Sequence, residues 1–167
     1  MVNLHKILER LATHEVEFVL VGGLAAIMYG CSIITKDVDV CVHFSLENLR
    51  KLHGAIADLH PYHRFTPQEL PFVLKEGLED GLKNLYIKTD WGIVDFLGEI
   101  IGVGGYEEVR AHSIEVKTAY GSYRMVSIDK LIDSKAAADR DKDRVAVKML
   151  RGIRESARPS TPAPPAP

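Results

Sequence analysis

Cysteine, long apolar runs and an excess of one charge sign are all scarce in this 167-residue sequence. Its two cysteines, Cys31 and Cys41, cannot build a disulfide framework. We interpret both as reduced core residues, with a disulfide between them as the less favoured alternative. No apolar run approaches the roughly 20 residues that span a bilayer. The opening residues 1–11 are charged and amphipathic, which is not typical of a signal peptide. We therefore expect a cytoplasmic protein with no membrane partner.

The near-balance of charge limits the kinds of partner. A net charge of -2 at pH 7 gives no global basic field, so a nucleic acid would have to bind at a local patch. The seven histidines show no spacing typical of zinc ligands. The length and the apolar fraction of 46% favour one globular domain over residues 1–156. The Pro/Ala-rich stretch 157–167 is predicted to be disordered.

Periodicity predicts helices and strands in a mixed order. We expect helices over about 3–14, 24–30, 46–59, 128 onward and 141–154, strands over about 17–22 and 37–44, and hairpins at Asp90–Gly92 and Gly121. Ser45 and Ser127 are expected to cap the helices that follow them. The segment 66–78 begins like a helix that Pro71 should interrupt or restart. This order predicts an α/β (α+β) fold, with a small mixed sheet covered by helices on one side.

Two aspartates interrupt the second apolar strand. Asp37 and Asp39 are two residues apart, so in a strand both carboxylates point to the same face. Burying unpaired carboxylates is costly, and a cation, a basic partner or exposure at the strand end must compensate them. Asp95 lies in a later apolar strand. Three carboxylates on neighbouring strands favour a site for two Mg²⁺ ions about 3.5–4 Å apart. Taken alone, the first pair is more typical of an ordinary strand start than of a metal site.

A pair of glycines, Gly22 and Gly23, separates the first apolar strand from the next helix. Because glycine has no Cβ atom, this turn would let an anion approach backbone N–H groups at the helix start. A tight strand-to-helix turn without a ligand is the alternative interpretation of the same pair.

Four features follow one another along the chain: a strand ending in Gly22–Gly23, a short helix, the run TKDVD at 35–39, and the strand aspartate Asp95. Together they resemble the nucleotidyltransferase superfamily, whose fold is shared with DNA polymerase β. The run SKAAADRDKDRVAV at 134–147 is similar to the closing motif of the small bacterial branch related to abortive-infection toxins. The resemblance spans roughly residues 18–147.

This resemblance implies a role for each matched residue. Asp37, Asp39 and Asp95 would be the catalytic residues that hold two Mg²⁺ ions, or Mn²⁺ in their place. Asp95 would also help to activate an acceptor hydroxyl. The residues implied in nucleotide binding are Gly22, Gly23, Lys36, Lys135 and Lys142. A solvated helix face with salt bridges explains the basic residues of 134–147 about equally well.

The implied protein has a polymerase β-like nucleotidyltransferase fold. Its implied activity is a Mg²⁺-dependent transfer of a nucleoside monophosphate from an NTP to a hydroxyl, with release of pyrophosphate. The acceptor would be the 3′ end of an RNA such as tRNA, and a toxin–antitoxin setting would add an antitoxin protein as partner. A small molecule or a protein side chain is an alternative acceptor.

One position departs from the family's pattern. Ile33 stands where relatives often carry an arginine, and the missing phosphate contact would weaken nucleotide binding unless Lys36 replaced it. A catalytically degenerate nucleotide- or partner-binding module on the same fold is therefore an alternative function. A structural domain without a ligand is a third interpretation.

Overall fold

The computed structural model describes residues 3–157 of the chain. The helices in this range are α1 Leu4–Thr13, α2 Gly22–Met28, α3 Leu46–Ile56, α4 Tyr106–Ala111, α5 Ile128–Ala138 and α6 Asp141–Ser156, with a 3₁₀ turn at Ala57–Leu59. Among residues 3–157, none of the helices combines the length and the apolar character needed to cross a membrane. The stretch 157–167, predicted to be disordered, lies outside the described residues except for Ala157.

The strands form a mixed sheet that is larger than expected. Their bounds are β1 Phe18–Val21, β2 Asp37–Val42, β3 Tyr62–His63, β4 Asn84–Thr89, β5 Gly92–Leu97, β6 Glu99–Ile100, β7 Gly104–Gly105, β8 Ser113–Thr118 and β9 Gly121–Val126. Seven of them make one sheet in the order β3-β4-β5-β2-β1-β9-β8, while β6 pairs with β7. The β2–β5 and β1–β9 pairs are parallel, and the other neighbours are antiparallel. The predicted mixed α/β class is confirmed, but the prediction of a small sheet was wrong.

The centre of the sheet is covered on both faces, which corrects the expected one-sided cover. All four residues of β1 are buried, although neighbouring side chains of a strand point to opposite faces. A strand that is buried on both faces is a continuous apolar run, and FVLV is such a run. Cys31 and Cys41 are buried free thiols, which confirms their interpretation as core residues.

Short-range signals set most of the element boundaries. The Ser45 and Ser127 hydroxyls accept hydrogen bonds from the backbone N–H groups of Asn48 and Lys130, as predicted for helix caps. Both predicted hairpins form, β4–β5 across Asp90–Trp91 and β8–β9 before Gly121. These signals act within a few residues, so the sequence alone carries them.

The predicted helix within 66–78 was wrong. Pro71 instead forms an isolated β-bridge with Tyr62. The N–H of His63 donates to the Leu70 carbonyl at 2.8 Å, and the N–H of Phe72 donates to the Pro61 carbonyl at 2.8 Å. Phe72 is 3% exposed and anchors the segment in the core. Pairing with β3 and burial of one aromatic ring therefore outweigh the local helical tendency, which proline already weakens.

Candidate functional site

The three predicted aspartates converge on one face of the sheet. Asp39 of β2 is directly paired with Asp95 of the parallel neighbour β5, and Asp37 lies two residues before Asp39. One carboxylate oxygen from each lies within 4.8 Å of the others. The period-2 pattern of β2 thus supplies two carboxylates, and the parallel register supplies the third. Three oxygens at this spacing form a donor set that suits a hard divalent cation.

Asp39 is held in a partly apolar setting beside a like charge. Burial raises the pKa of Asp39 above its usual value, and the Asp37 carboxylate raises it further. A hydrogen bond from the backbone N–H of Gly23 and the positive charges of Lys135 and Lys142 act in the opposite direction. The net effect is a carboxylate whose charged form lacks sufficient compensation from the surrounding protein.

Asp95 is the most buried member of the cluster. Its residue exposure is 6%, and burial is the largest cause that raises the pKa of its carboxyl to about 6. The charges of Asp39 and Asp37 add to this shift, whereas Arg64 opposes it. Among the described residues, the Asp95 Oδ1 atom is buried without a hydrogen-bond partner. An unpartnered buried carboxylate oxygen is costly and indicates a missing ligand or proton.

Arg64 is the partner of Asp95 and was not predicted from the sequence. Its guanidinium donates from Nη2 to Asp95 Oδ2 at 3.0 Å, and its side chain is 23% exposed. The need for a basic partner was foreseeable, because a buried strand aspartate requires compensation. The identity of this partner as Arg64 was not foreseeable, because Arg64 follows the two-residue strand β3 in a region without a regular sequence pattern.

The glycine pair is required by the carboxylates beside it. A Cβ atom on Gly22 would lie 2.0 Å from Asp39 Oδ2, and Gly22 has a φ of +67°. A Cβ atom on Gly23 would lie 2.6 Å from the Thr35 hydroxyl, which donates to Asp37 Oδ1 at 2.8 Å. Any larger residue would therefore displace a side chain of the cluster. The structure explains the pair by close packing, and the predicted contact with phosphates stays a prediction.

A network of charged side chains from α5, α6 and the turn between them lies beside the aspartates. Lys135 is 8% exposed, and its Nζ lies 3.6 Å from the Asp143 carboxylate. Arg140 Nε donates to the second oxygen of Asp143 at 2.5 Å. Burial would raise the pKa of Asp143, but the hydrogen bond from Arg140 and the charges of Arg140 and Lys135 hold it below its usual value. Asp143 is thus an anion with two cationic partners.

Part of the site lines one cavity of about 360 Å³, whereas Asp37 and Gly23 are not among the residues that line it. Its polar lining includes Gly22, Asp39, Asp95, Lys135, Arg140 and Asp143. The candidate lysines Lys142 and Lys36 also lie outside its lining and differ in position. Lys142 is exposed but close enough for its charge to lower the pKa of Asp39, whereas Lys36 is exposed on the approach to β2.

The basic residues of the C-terminal run divide into two groups. Arg144 pairs with Asp139 at 2.8 Å and with Asp141 at 3.2 Å on the surface, which is the solvated helix face considered as an alternative. Lys135 and Arg140 instead line the cavity. Ile33 is partly buried and packs against the hydrophobic core.

No family model matches the sequence, and no curated protein matches it. Among solved structures, the chain is similar to the crystal structure of JHP933 from Helicobacter pylori. The TM-score is 0.53 and the sequence identity is 15% over 91% of this chain. The chain spans 66% of the length of JHP933, which is slightly less than two thirds. At this identity the likeness extends to the fold alone.

Proposed function

We propose that this chain is a Mg²⁺-dependent nucleotidyltransferase with a polymerase β-like fold, which moves a nucleoside monophosphate from an NTP to a hydroxyl. The observation that carries the proposal is the convergence of Asp37, Asp39 and Asp95 within 4.8 Å, with one buried Asp95 oxygen lacking a partner among the described residues. An acidic cluster alone is common on protein surfaces. A buried, unpartnered oxygen on a member of such a cluster favours a cation as its missing ligand.

The residues present fit the metal that the proposal requires. Asp37, Asp39 and Asp95 would hold divalent cations, Mg²⁺ or Mn²⁺, through hard oxygen ligands. When bound, such cations neutralise phosphate charge and polarise the reacting phosphoryl group. Cation binding would also relieve the repulsion that helps to raise the pKa values of Asp39 and Asp95.

The side chains around the cluster support a division of roles. Lys135 and Arg140 line the cavity next to Asp39 and would attract the triphosphate, as would Lys142 from the surface. Gly22 and Gly23 would lie next to the phosphates, and their lack of side chains leaves room for Asp39 and Thr35 beside them. Lys36 would bind phosphate only by turning back from solvent.

In the proposed reaction, the oxygen of an acceptor hydroxyl forms a bond to the α-phosphorus of the NTP. The bond from the α-phosphorus to the bridging oxygen breaks, and pyrophosphate leaves with that electron pair. The hydroxyl proton passes to Asp95, the carboxylate that the resemblance assigns to activation of the acceptor hydroxyl. Positioning and charge neutralisation supply most of the catalysis in phosphoryl transfer.

A catalytically degenerate binding module is the second candidate, and one contact favours it. The Arg64 guanidinium already donates to Asp95 Oδ2 at 3.0 Å. A metal ion would have to compete with this guanidinium for the same carboxylate. Ile33 packs against the core and offers no phosphate contact in place of an arginine. Such a module would bind an NTP without transferring its nucleotide. An antitoxin or another protein would be its partner.

Label transfer distinguishes the two functions. The protein is incubated with Mg²⁺, each α-labelled NTP in turn, and total cellular RNA, protein or small-molecule extract as the acceptor. We expect one labelled product with the wild type and a loss of roughly 10³-fold or more with Asp37→Ala. Asp141→Asn is the matched control, since this side chain is fully exposed outside the cavity. Equal labelling by the wild type and Asp37→Ala would exclude the metal assignment.

Thermal unfolding with each Mg²⁺–NTP pair separates the remaining alternatives. A Mg²⁺-linked rise in Tm without label transfer to any acceptor supports the binding module. The absence of a shift with every NTP supports a structural domain without a ligand.

A further inference from the structure

The seven-stranded sheet has one open edge. At one end of the sheet, β3 has only two residues, and the segment around Pro71 covers its outer side through the bridge to Tyr62. At the other end, β8 spans the six residues Ser113–Thr118, and no strand within residues 3–157 pairs with its outer side. An uncovered edge of this kind exposes backbone N–H and C=O groups that can pair with another strand.

The pairing of β8 with β9 determines which backbone groups lie on the open side. In antiparallel strands, directly opposite residues alternate between pairs that exchange hydrogen bonds and pairs that do not. The N–H of Ser127 donates to the His112 carbonyl at 2.9 Å, one position before β8 begins in the same register. The positions of β8 that bond to β9 are therefore 114, 116 and 118. Glu115 and Lys117 lie between them and direct their N–H and C=O groups away from β9.

The outward backbone groups of β8 differ in whether the chain itself already uses them. The Ser113 carbonyl accepts a hydrogen bond from the Arg124 guanidinium at 2.8 Å. The outward N–H and C=O groups of Glu115 and Lys117 have no backbone partner among the described residues, and both side chains are exposed. The open edge therefore presents a donor and an acceptor at each of these two positions.

The charges along this edge are complementary to a second copy of the same edge. Glu115 and Lys117 are two residues apart, so they point to the same face of β8. A lone lysine on an edge strand discourages pairing. A glutamate and a lysine on either side of Val116 instead match their own two-fold image, because each acid then lies opposite a base.

One antiparallel register satisfies both the backbone groups and the charges. With the two-fold axis at Val116, Glu115 of each copy exchanges both hydrogen bonds with Lys117 of the other. An axis at Glu115 or at Lys117 would place like charges directly opposite each other, which is destabilising. An axis at Ile114 would require the Ser113 carbonyl, which is already occupied. An axis between two residues would place an outward-directed position opposite an inward-directed one.

The opposite face of β8 would add apolar contacts in the same register. Ile114 is 44% exposed, and Val116 packs against the core while remaining partly exposed. The axis at Val116 places the valines of the two copies opposite each other and places Ile114 opposite Thr118. All three residues are β-branched, the type that packs well on the pleated surface of a sheet. Pairing would thus cover Ile114, which one copy leaves open.

We propose that two copies of this chain associate through β8, in antiparallel orientation, with the two-fold axis at Val116. The two sheets then form one continuous sheet across the dimer. The strands β9, β1 and β2 separate β8 from β5, so the association leaves the aspartate cluster of each copy uncovered. The dimer surface lies outside the aspartate site and does not depend on the proposed function.

Charge reversal tests the proposal by sedimentation equilibrium. We expect the wild type to show a monomer–dimer equilibrium. Glu115→Lys and Lys117→Glu each place like charges opposite each other on both sides of the axis, and each should raise the dimer dissociation constant about tenfold or more. Lys148→Glu is the matched control, since it makes the same change in net charge at an exposed position of α6. It should change the dissociation constant less than about twofold.

An equimolar mixture of the two reversed variants provides the sharper test. Across the axis, the positive positions of one variant face the negative positions of the other. We expect the mixture to associate with a dissociation constant within about threefold of the wild-type value, measured with a fluorescent label on one variant. Glu115 is also opposite Arg124 within the chain. Recovery in the mixture therefore shows that neither reversal has disrupted the β8–β9 hairpin.

Four results would overturn the proposal. Wild-type protein that stays monomeric at every accessible concentration would leave the β8 edge to a strand of another protein. Unchanged association in both reversed variants would show that β8 is not the interface. Equal losses in Lys117→Glu and Lys148→Glu would indicate an effect of net charge alone. A mixture that associates no better than either variant by itself would exclude the antiparallel register.

Discussion

The two flanks of the aspartate cluster are built in opposite ways. On the α5–α6 flank, Asp143 has two cationic partners, Lys135 and Arg140, and its pKa lies below its usual value. On the β4–β3 flank, Asp95 has Arg64 alone, and its pKa rises to about 6. Both the Asp95 Oδ1 atom and the Arg64 Nε atom are buried there without partners among the described residues.

This difference separates a supporting network from a reactive one. A satisfied ion-pair network fixes geometry and is expensive to break. Groups with raised pKa values and unmet hydrogen bonds are typical of places where a ligand, a metal or a proton arrives. The α5–α6 flank should therefore govern stability, and the β4–β3 flank should govern cation binding and its pH dependence.

The largest effect is expected from breaking the satisfied flank. Asp143 is 1% exposed, so Asp143→Ala leaves Lys135 buried without its carboxylate. We expect the free energy of unfolding to fall by about 3–5 kcal/mol, as measured by urea denaturation. Asp141→Ala removes an exposed carboxylate nearby and should cost less than about 0.5 kcal/mol. Similar losses from both variants would show that the network does not stabilise the fold.

A somewhat smaller effect should follow from filling the space between the flanks. Gly22→Ala places a methyl group against Asp39 at a φ of +67°. Strain and the forced movement of the carboxylate should cost about 2 kcal/mol of unfolding free energy and weaken Mg²⁺ binding.

Gly152→Ala in α6 is its matched control. This glycine has open space around the position of a Cβ atom, so alanine should stabilise the helix by about 0.5–1 kcal/mol. An unchanged Mg²⁺ affinity in Gly22→Ala would mean that Asp39 does not need its present position.

On the β4–β3 flank, the affinity for Mg²⁺ should depend on pH. The pKa of Asp95 is raised to about 6, so below that value Asp95 is protonated in the metal-free protein and must lose its proton to bind a cation. Affinity for Mg²⁺ should therefore be constant above about pH 7 and fall roughly tenfold per pH unit below 6. Calorimetric titration across this range measures the effect.

The same shift predicts a contribution to stability with the opposite direction. A raised carboxyl pKa stabilises the fold at low pH, and that contribution is lost as pH rises from about 4 through 6. An Mg²⁺ affinity that stays flat down to pH 5 would contradict the assigned position of Asp95 in the site.

The smallest effect is expected from removing the partner of Asp95. Arg64→Met should cost only about 1 kcal/mol at pH 7, because Asp95 can take up a proton instead of remaining an uncompensated charge. This loss of unfolding free energy should be close to zero at pH 5, where most Asp95 is already protonated. A loss as large as that of Asp143→Ala at both pH values would erase the difference between the flanks.

The sequence predicted the parts that depend on short-range chemistry. The serine caps, the two hairpins and the same-face placement of Asp37 and Asp39 follow from rules that act over two to four residues. The approach of Asp95 required one further step, namely that two apolar strands become neighbours. The expectation that the three carboxylates lie on neighbouring strands provided that step, and the parallel pairing of β2 with β5 confirms it.

The parts that were missed depend on contacts across long stretches of chain. Arg64 reaches Asp95 from 31 positions away in sequence, and no periodic pattern surrounds it. The segment around Pro71 pairs with Tyr62 rather than forming a helix, because burial of Phe72 fixes it against the sheet.

The most direct test of the central claim is Mn²⁺ binding followed by electron paramagnetic resonance at about pH 7.5, where Asp95 is ionised. Wild-type protein, Asp95→Asn and the surface control Asp141→Asn are titrated with and without a non-hydrolysable NTP analogue. The account predicts Mn²⁺ binding that the analogue tightens in the wild type and the control, and a loss of roughly tenfold or more in Asp95→Asn. Equal Mn²⁺ affinity in all three proteins would contradict the assignment of Asp37, Asp39 and Asp95 as a metal site.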